Sequence, residues 1–177
     1  MTKTESPFEI LVVLGPTASG KTRLAVALAG DLGGEIISAD SRQVFRDMDI
    51  GSGKDLHEYG PVPYHLIDIL AAGEEFSVFD FQRRYVHACA DIISRRAVPI
   101  LCGGSGMYLD AVLRGYRMVE VPYNEALRTT LADCTDAELV EELRRLKPNQ
   151  HNNTDLLDRE RTVRAIEIAC GLLYLFL

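Results

Sequence analysis

The strongest chemical signal in the sequence is a glycine-rich run that ends in a lysine and a threonine. It reads Gly15, Pro16, Thr17, Ala18, Ser19, Gly20, Lys21, Thr22 and fits GxxxxGK[ST] at every fixed position. An apolar run precedes it and a helical pattern follows it. In that context, backbone N–H groups and a helix N-terminus bind phosphate oxygens. The lysine supplies a cation and the Thr22 hydroxyl can ligate Mg²⁺, so the run predicts a site for a di- or triphosphate.

Two further candidates follow predicted strands. Asp40 lies in the segment 38–43, and a carboxylate at the carboxyl end of a parallel strand lies on the ligand-binding rim of a sheet. It can bind Mg²⁺ through water or accept a proton; the alternative is a carboxylate that caps the next turn. Ser105 lies in the glycine-rich segment 103–106, which either approaches a second ligand or forms a plain strand-to-helix turn.

Arginines near the end of the chain form another candidate site. Arg161 and Arg164 are three residues apart, hence on one face of a predicted helix. They either clamp a pyrophosphate or belong to a solvated charged face. The four histidines have no metal-ligand spacing, and the four cysteines lack a CxxC pair. The cysteines are therefore expected to be reduced thiols.

The elements that must position these residues alternate between strand and helix. The pattern predicts strands over 9–14, 35–38, 64–69 and 99–102, helices over 21–32 and 78–96, and a loop over 40–60. Such alternation is typical of an α/β fold, a P-loop NTPase-like parallel sheet with helices on both faces. After Pro122 the pattern predicts a charged helix over 124–147, a polar break over 148–154 and a helix over 155–170. We expect a core of 1–122 and 155–177, with a small helical insertion at 123–154.

Composition excludes several classes of protein. Acidic residues outnumber basic ones, 26 to 19, which gives a formal net charge of −7 and excludes a strongly basic nucleic-acid coat protein. Local basic patches on an acidic chain can still bind nucleic acid. No signal peptide is recognisable, and the apolar run 172–177 is too short to span a bilayer. A cytoplasmic protein without a membrane segment is expected.

The candidate segments together resemble one enzyme family. The segments that carry the likeness are 15–22, 36–51, 62–69, 76–78, 99–108 and 158–167. In order and spacing they are similar to those of the tRNA dimethylallyltransferases, also called tRNA isopentenyltransferases. The segment Ile36–Gly51 is far more specific than a phosphate loop.

The resemblance implies transfer of a dimethylallyl group from dimethylallyl diphosphate to N6 of an adenosine beside the tRNA anticodon. The phosphate loop would then hold the diphosphate leaving group, with Mg²⁺ at Thr22. Asp40 would be the general base, Ser105 would lie near the reacting centre, and Arg164 near the diphosphate. The positions that match tRNA contacts are Asp40, Ser41, Arg42, Gln43 and Arg128, together with the insertion 123–154. A monomer is expected.

The chain also departs from the family pattern. Its segment Gly51–Asp55 reads GSGKD where the family usually has GTAKP, the insertion is shorter than usual, and the chain stops soon after Glu167. A C-terminally truncated family member is therefore expected. The alternatives that stay open are an adenylate dimethylallyltransferase, a P-loop small-molecule kinase with Asp40 as base, and an inactive fragment that binds diphosphate or RNA.

Overall fold

The computed structural model describes residues 9–116, 118–148 and 156–175. They separate into two compact units, the first ending at Met118 and the second beginning at Val119. None of the helices in these ranges is long and apolar enough to cross a membrane.

The first unit is built on a four-stranded parallel sheet. Its strands are β1 (Leu11–Leu14), β2 (Gly34–Ala39), β3 (Tyr64–His65) and β4 (Val98–Gly103), in the spatial order β1-β4-β2-β3. Gly103 at the end of β4 pairs in register with Leu14 on one side and Ala39 on the other. The carboxyl ends of three strands therefore meet at one edge, where parallel sheets bind their ligands.

Helices cover both faces of this sheet, as the sequence predicts. They are α1 (Lys21–Leu32), α2 (Val78–Ser94) and α3 (Gly106–Leu113). Successive residues of a strand point to opposite faces. Accordingly, Ile36 packs in a core with Ala25 of α1, whereas Ile37 packs in another with Phe81 of α2. The expected α/β class with a parallel sheet is confirmed.

The third strand is shorter than the predicted 64–69. It ends at His65 because Leu66 and Asp68 have φ values of 62° and 55°, which interrupt the extended backbone. The Ile69 N–H instead donates to the Val44 carbonyl at 2.9 Å. The predicted loop 40–60 is also not wholly irregular, since a short 3₁₀ helix spans Leu56–Tyr59.

A buried carboxylate is neutralised near the amino end of β2. Glu35 accepts hydrogen bonds from Arg95 Nε at 2.9 Å and Nη2 at 2.8 Å, and His65 Nε2 lies 2.7 Å from Glu35 Oε2. The Arg95 guanidinium holds the pKa of Glu35 below its usual value, despite burial, which raises it. The sheet thus carries an ionic cluster at the end opposite its ligand-binding edge.

The second unit contains α4 (Glu125–Ala132), α5 (Asp136–Leu146) and α6 (Arg159–Leu175). The prediction of one helix over 124–147 is wrong. Helix α4 ends at Ala132, and a new helix starts after Thr135. The Thr135 side chain accepts the Glu138 N–H while the Glu138 side chain accepts the Thr135 N–H, a capping box that starts α5. The polar break at 148–154 falls almost wholly outside the described residues.

Helix α6 packs against the other helices of the second unit, and the predicted division with 155–177 as part of the core stays a prediction. Val163 and Ile166 of α6 share one apolar core with Leu139 and Leu143 of α5, and this burial places the helix in the unit that begins at Val119. That 123–154 is a tRNA-contacting insertion stays a prediction.

Candidate phosphate-binding site

The glycine-rich run 15–22 connects β1 to α1, the context in which such runs bind phosphate. It lines a cavity of about 810 Å³, which is large enough for a small organic ligand. Gly20 immediately precedes α1 with φ 79°, a left-handed conformation that favours glycine. The Lys21 ammonium donates to the Pro16 carbonyl at 2.6 Å, so the cation lies over its own loop.

The backbones of three strand ends contact one another beside this loop. A Cβ atom on Gly103 would lie 2.3 Å from the Ala39 oxygen, and one on Gly104 would lie 3.2 Å from the Gly15 oxygen. No real Cβ tolerates the first distance, so only glycine fits at 103. Because side chains are absent here, the loops that follow β1, β2 and β4 can share one cavity.

Asp40 and Ser105 are brought together by hydrogen bonds between their loops. The Ser105 hydroxyl accepts the Ser41 N–H at 2.9 Å, and the Ser105 N–H donates to the Ala39 carbonyl at 3.1 Å. Asp40 Oδ1 accepts the Arg42 N–H at 2.9 Å. Asp40 therefore does cap its turn, the plainer of the two sequence interpretations. Its Oδ2 forms no hydrogen bond within the described part of the chain, so one oxygen stays available for chemistry.

The two predicted tRNA contacts beside Asp40, together with Gln43, line the same cavity. Ser41 and Arg42 are exposed. Gln43 is buried: its Oε1 accepts from the Ser38 hydroxyl at 2.8 Å and its Nε2 donates to the Gly53 carbonyl at 3.3 Å. The Gln43 side chain thus joins the loop after β2 to the glycine-rich segment 51–53.

Sequence reasoning missed Tyr59 and Cys102, which also line the cavity. Burial raises the pKa of the Cys102 thiol to about 11, although Lys21 opposes the shift. Burial likewise raises the pKa of Tyr59. The position of Cys102 just before Gly103 was readable as the end of a strand, whereas nothing in the sequence indicates that the 3₁₀ helix turns Tyr59 toward the cavity.

The other two predicted site residues, Arg128 and Arg164, belong to the second unit. Both bind Glu167, whose side chain is fully buried: Arg128 Nε donates at 3.1 Å and Arg164 Nη1 at 2.7 Å. The Asn124 N–H donates to it as well, at 2.7 Å. Desolvation opposes the charge of Glu167, but these donors hold its pKa below the usual value. Each arginine therefore has a structural partner, and their expected contacts with tRNA and diphosphate stay predictions.

The cavity suits a hydrated Mg²⁺ ion. Thr22 and Asp40 both line it, and their side chains carry oxygen atoms, the ligands that Mg²⁺ prefers. Within the described ranges, no group of three acidic, histidine or cysteine side chains could hold a metal by itself. This set fits an ion bound through one or two protein oxygens, water and ligand phosphates, the usual arrangement for Mg²⁺.

A parallel sheet whose first strand leads through GxxxxGK[ST] into a helix, with the loop opening into a polar cavity, defines a P-loop α/β protein. A sequence model described as IPP transferase matches residues 43–172, and another described as isopentenyl transferase matches residues 8–59. The chain belongs to the IPP transferase family.

Relatives agree with that assignment. The chain is 68% identical over 167 residues to tRNA dimethylallyltransferase 2 of Trichlorobacter lovleyi, covering 94% of this chain and 55% of that protein. Among solved structures, tRNA isopentenylpyrophosphate transferase of Bacillus halodurans matches with a TM-score of 0.62 and 36% identity, over 92% of this chain and 55% of that one. A eukaryotic dimethylallyltransferase acting on tRNA matches with a TM-score of 0.75 and 27% identity, over 90% and 40%. The chain thus spans about half the length of the curated relatives it matches.

Proposed function

We propose that this chain carries the catalytic site of a tRNA dimethylallyltransferase, which transfers a dimethylallyl group from dimethylallyl diphosphate to N6 of an adenosine in tRNA. The observation that carries the proposal is the cavity in which the phosphate loop, Asp40 and Ser105 meet. Family membership supplies the class of reaction, and the names of the relatives supply the acceptor.

The reaction needs an anion-binding loop at the leaving diphosphate and a base at the attacking amino group. N6 attacks C1 of the dimethylallyl group, the C1–O bond breaks, and the diphosphate leaves with the bonding electron pair. Lys21 and the backbone of 15–20 stabilise the charge that develops on the diphosphate. Asp40 Oδ2 accepts the N6 proton, because Oδ1 is already bound to the Arg42 N–H.

Ser105 orients the acceptor in this scheme. A serine hydroxyl has one donor and two acceptor positions, and one acceptor position is taken by the Ser41 N–H. The hydroxyl hydrogen is therefore available to a ligand atom near Asp40. Mg²⁺ held by Thr22 and the phosphates would neutralise charge on the leaving group. Contacts of Arg128 and the segment 123–154 with tRNA, of Arg164 with diphosphate, a monomeric state and a cytoplasmic location are further parts of the proposal.

The test is transfer of label from allyl-labelled dimethylallyl diphosphate, with Mg²⁺, to three acceptors compared in parallel. They are an RNA anticodon stem-loop with adenosine beside the anticodon, the same RNA with inosine at that position, and AMP. We expect label in the adenosine RNA only, because inosine has no N6 amino group.

Each of the other possible results would indicate a different function or contradict the proposal. Label in AMP alone would indicate an adenylate dimethylallyltransferase, and label in the inosine RNA would contradict N6 as the acceptor. Phosphoryl transfer from ATP to a small molecule would indicate a kinase. Binding of pyrophosphate without transfer to any acceptor would contradict catalysis by this chain on its own.

A further inference from the structure

A fully buried lysine lies behind the wall of the cavity. The Lys54 side chain has an exposed fraction of 0%, which is rare for lysine and requires partners. Its ammonium donates to the Phe45 carbonyl at 2.9 Å, forms an ion pair with Asp49 at 2.7 Å, and hydrogen-bonds the Asp68 carboxylate. Burial opposes the charge, but the two carboxylates outweigh it and raise the pKa of Lys54.

The three partners of Lys54 lie on different parts of the chain. Phe45 belongs to the turn after β2, Asp49 to the loop beyond it, and Asp68 to the segment after β3. The Lys54 ammonium therefore joins two parts of the loop 40–55 to each other and joins both to the segment after β3.

Other side chains also hold this loop: Gln43 donates to the carbonyls of 52 and 53, and the Ser52 hydroxyl donates to the Asp49 carbonyl at 3.2 Å. Arg46 donates to the Asp68 carbonyl at 3.0 Å and to the Ile69 carbonyl at 3.3 Å.

The connected loop is one wall of the cavity. Its lining residues are Asp40, Ser41, Arg42, Gln43, Gly51, Ser52, Gly53 and Asp55. The phosphate loop forms a separate part of the lining and has its own support from β1 and α1. Loss of Lys54 would leave Asp49 and Asp68 without their shared cation, so like charges would push the wall apart while the phosphate loop kept its supports.

We propose that Lys54 is a positioning residue that fixes the cavity wall 41–53, so that it governs binding of the acceptor rather than of the diphosphate. The role of Lys54 in binding the acceptor rests on the proposed function. The part of Lys54 in holding the wall does not, because it is argued from its three contacts without reference to any reaction.

The experiment compares Lys54→Met with Arg95→Met by hydrogen exchange and by pyrophosphate binding. Arg95→Met is the matched control, since it removes the cation from Glu35 at the other end of the same sheet. Losing hydrogen bonds to a charged group costs about 1.5–3 kcal/mol, which corresponds to roughly 10- to 100-fold in an opening equilibrium. We expect Lys54→Met to speed exchange of the amides in 41–53 by that factor, beyond any change in β2 and β4, with the Kd for Mg²⁺–pyrophosphate unchanged within about 2-fold.

In the control, exchange should rise across the whole unit without selectivity for 41–53. Asp49→Asn provides a milder variant if Lys54→Met fails to fold, because Asp49 is 70% exposed and the ion pair of Lys54 with Asp68 remains. It should speed exchange selectively within the same wall, by a smaller factor. Lys54→Arg, which keeps the charge, should restore part of the protection.

Steady-state kinetics add a measurement that a purely structural role of Lys54 would not change selectively. With the adenosine stem-loop as acceptor, Lys54→Met should raise the KM for RNA at least about 10-fold and leave the KM for dimethylallyl diphosphate near that of the unaltered protein. Uniform exchange across the unit, or equal weakening of both ligands, would overturn the proposal. If the unaltered protein transfers no label, the proposed function fails, while the exchange data still decide the role of Lys54 in holding the wall.

Discussion

Replacing Asp40 by asparagine and by alanine separates its two roles, because only one of its oxygens is used by the turn. Asparagine keeps an oxygen that accepts the Arg42 N–H at the position of Oδ1, whereas alanine loses it. Loss of such a cap costs about 0.5–2 kcal/mol. Asp40→Asn should therefore unfold at nearly the denaturant concentration of the unaltered protein, and Asp40→Ala should unfold earlier by that free energy.

The rate of dimethylallyl transfer should fall in both variants, whereas the stability should fall only in Asp40→Ala. Neither side chain has a basic carboxylate oxygen, so single-turnover transfer should fall roughly 10²–10⁴-fold in both, the usual contribution of a general base. Affinity for Mg²⁺–pyrophosphate should change little in Asp40→Asn, since the phosphate loop holds that ligand. Stability and rate must be measured on the same preparation. A folded Asp40→Asn protein with a near-normal rate would refute the base and leave Asp40 as a turn cap.

Three other substitutions, one of them paired with a control, test the phosphate loop, the sheet edge and the ionic cluster. Lys21→Ala should weaken Mg²⁺–pyrophosphate binding by about 1.5–3 kcal/mol in calorimetry; an unchanged Kd would count against the phosphate-loop assignment. Gly103→Ala should lower the free energy of unfolding by at least about 1–3 kcal/mol, whereas Gly30→Ala on the exposed side of α1, where a Cβ meets nothing within 4 Å, should raise it by about 0.5–1 kcal/mol; equal effects would contradict the close approach at 103. The lowered pKa of Glu35 means that its contribution is complete above the unfolded value near 4.5 and is lost as pH falls through the folded value. Glu35→Gln should therefore flatten the decline of melting temperature below that pH, and an unaltered decline would contradict the linkage.

The parts of the site that follow local rules were readable from the sequence. The run 15–22 carries its own conformational requirements, and the strand before Asp40 fixes which edge of the sheet it reaches. The boundaries of α1 agree residue for residue with the predicted helix. These features depend on residues close together in the chain, which a pattern can report.

Features that depend on distant residues were missed or misassigned. Lys54 reads as an ordinary surface lysine, because its partner Asp68 is fourteen positions away. The contact of Arg164 with Glu167 was likewise not predicted, because Glu167 is itself buried only by tertiary packing. The break before α5 is a different case, because the spacing Thr135-x-x-Glu138 is a capping-box signature that the sequence does contain. The apolar periodicity continues through this segment, and it led to the prediction of one continuous helix.

The ionic cluster at Glu35 and the cavity at Asp40 occupy opposite ends of the same strand. Four residues lie between them, so five steps of extended chain, about 16 Å at 3.3 Å per step, separate the two sites, and the side chains between them are buried. Substitutions at the Glu35 end can therefore change the melting temperature without touching a ligand. Substitutions that change the stability and substitutions that change the chemistry can therefore be made independently, at opposite ends of β2.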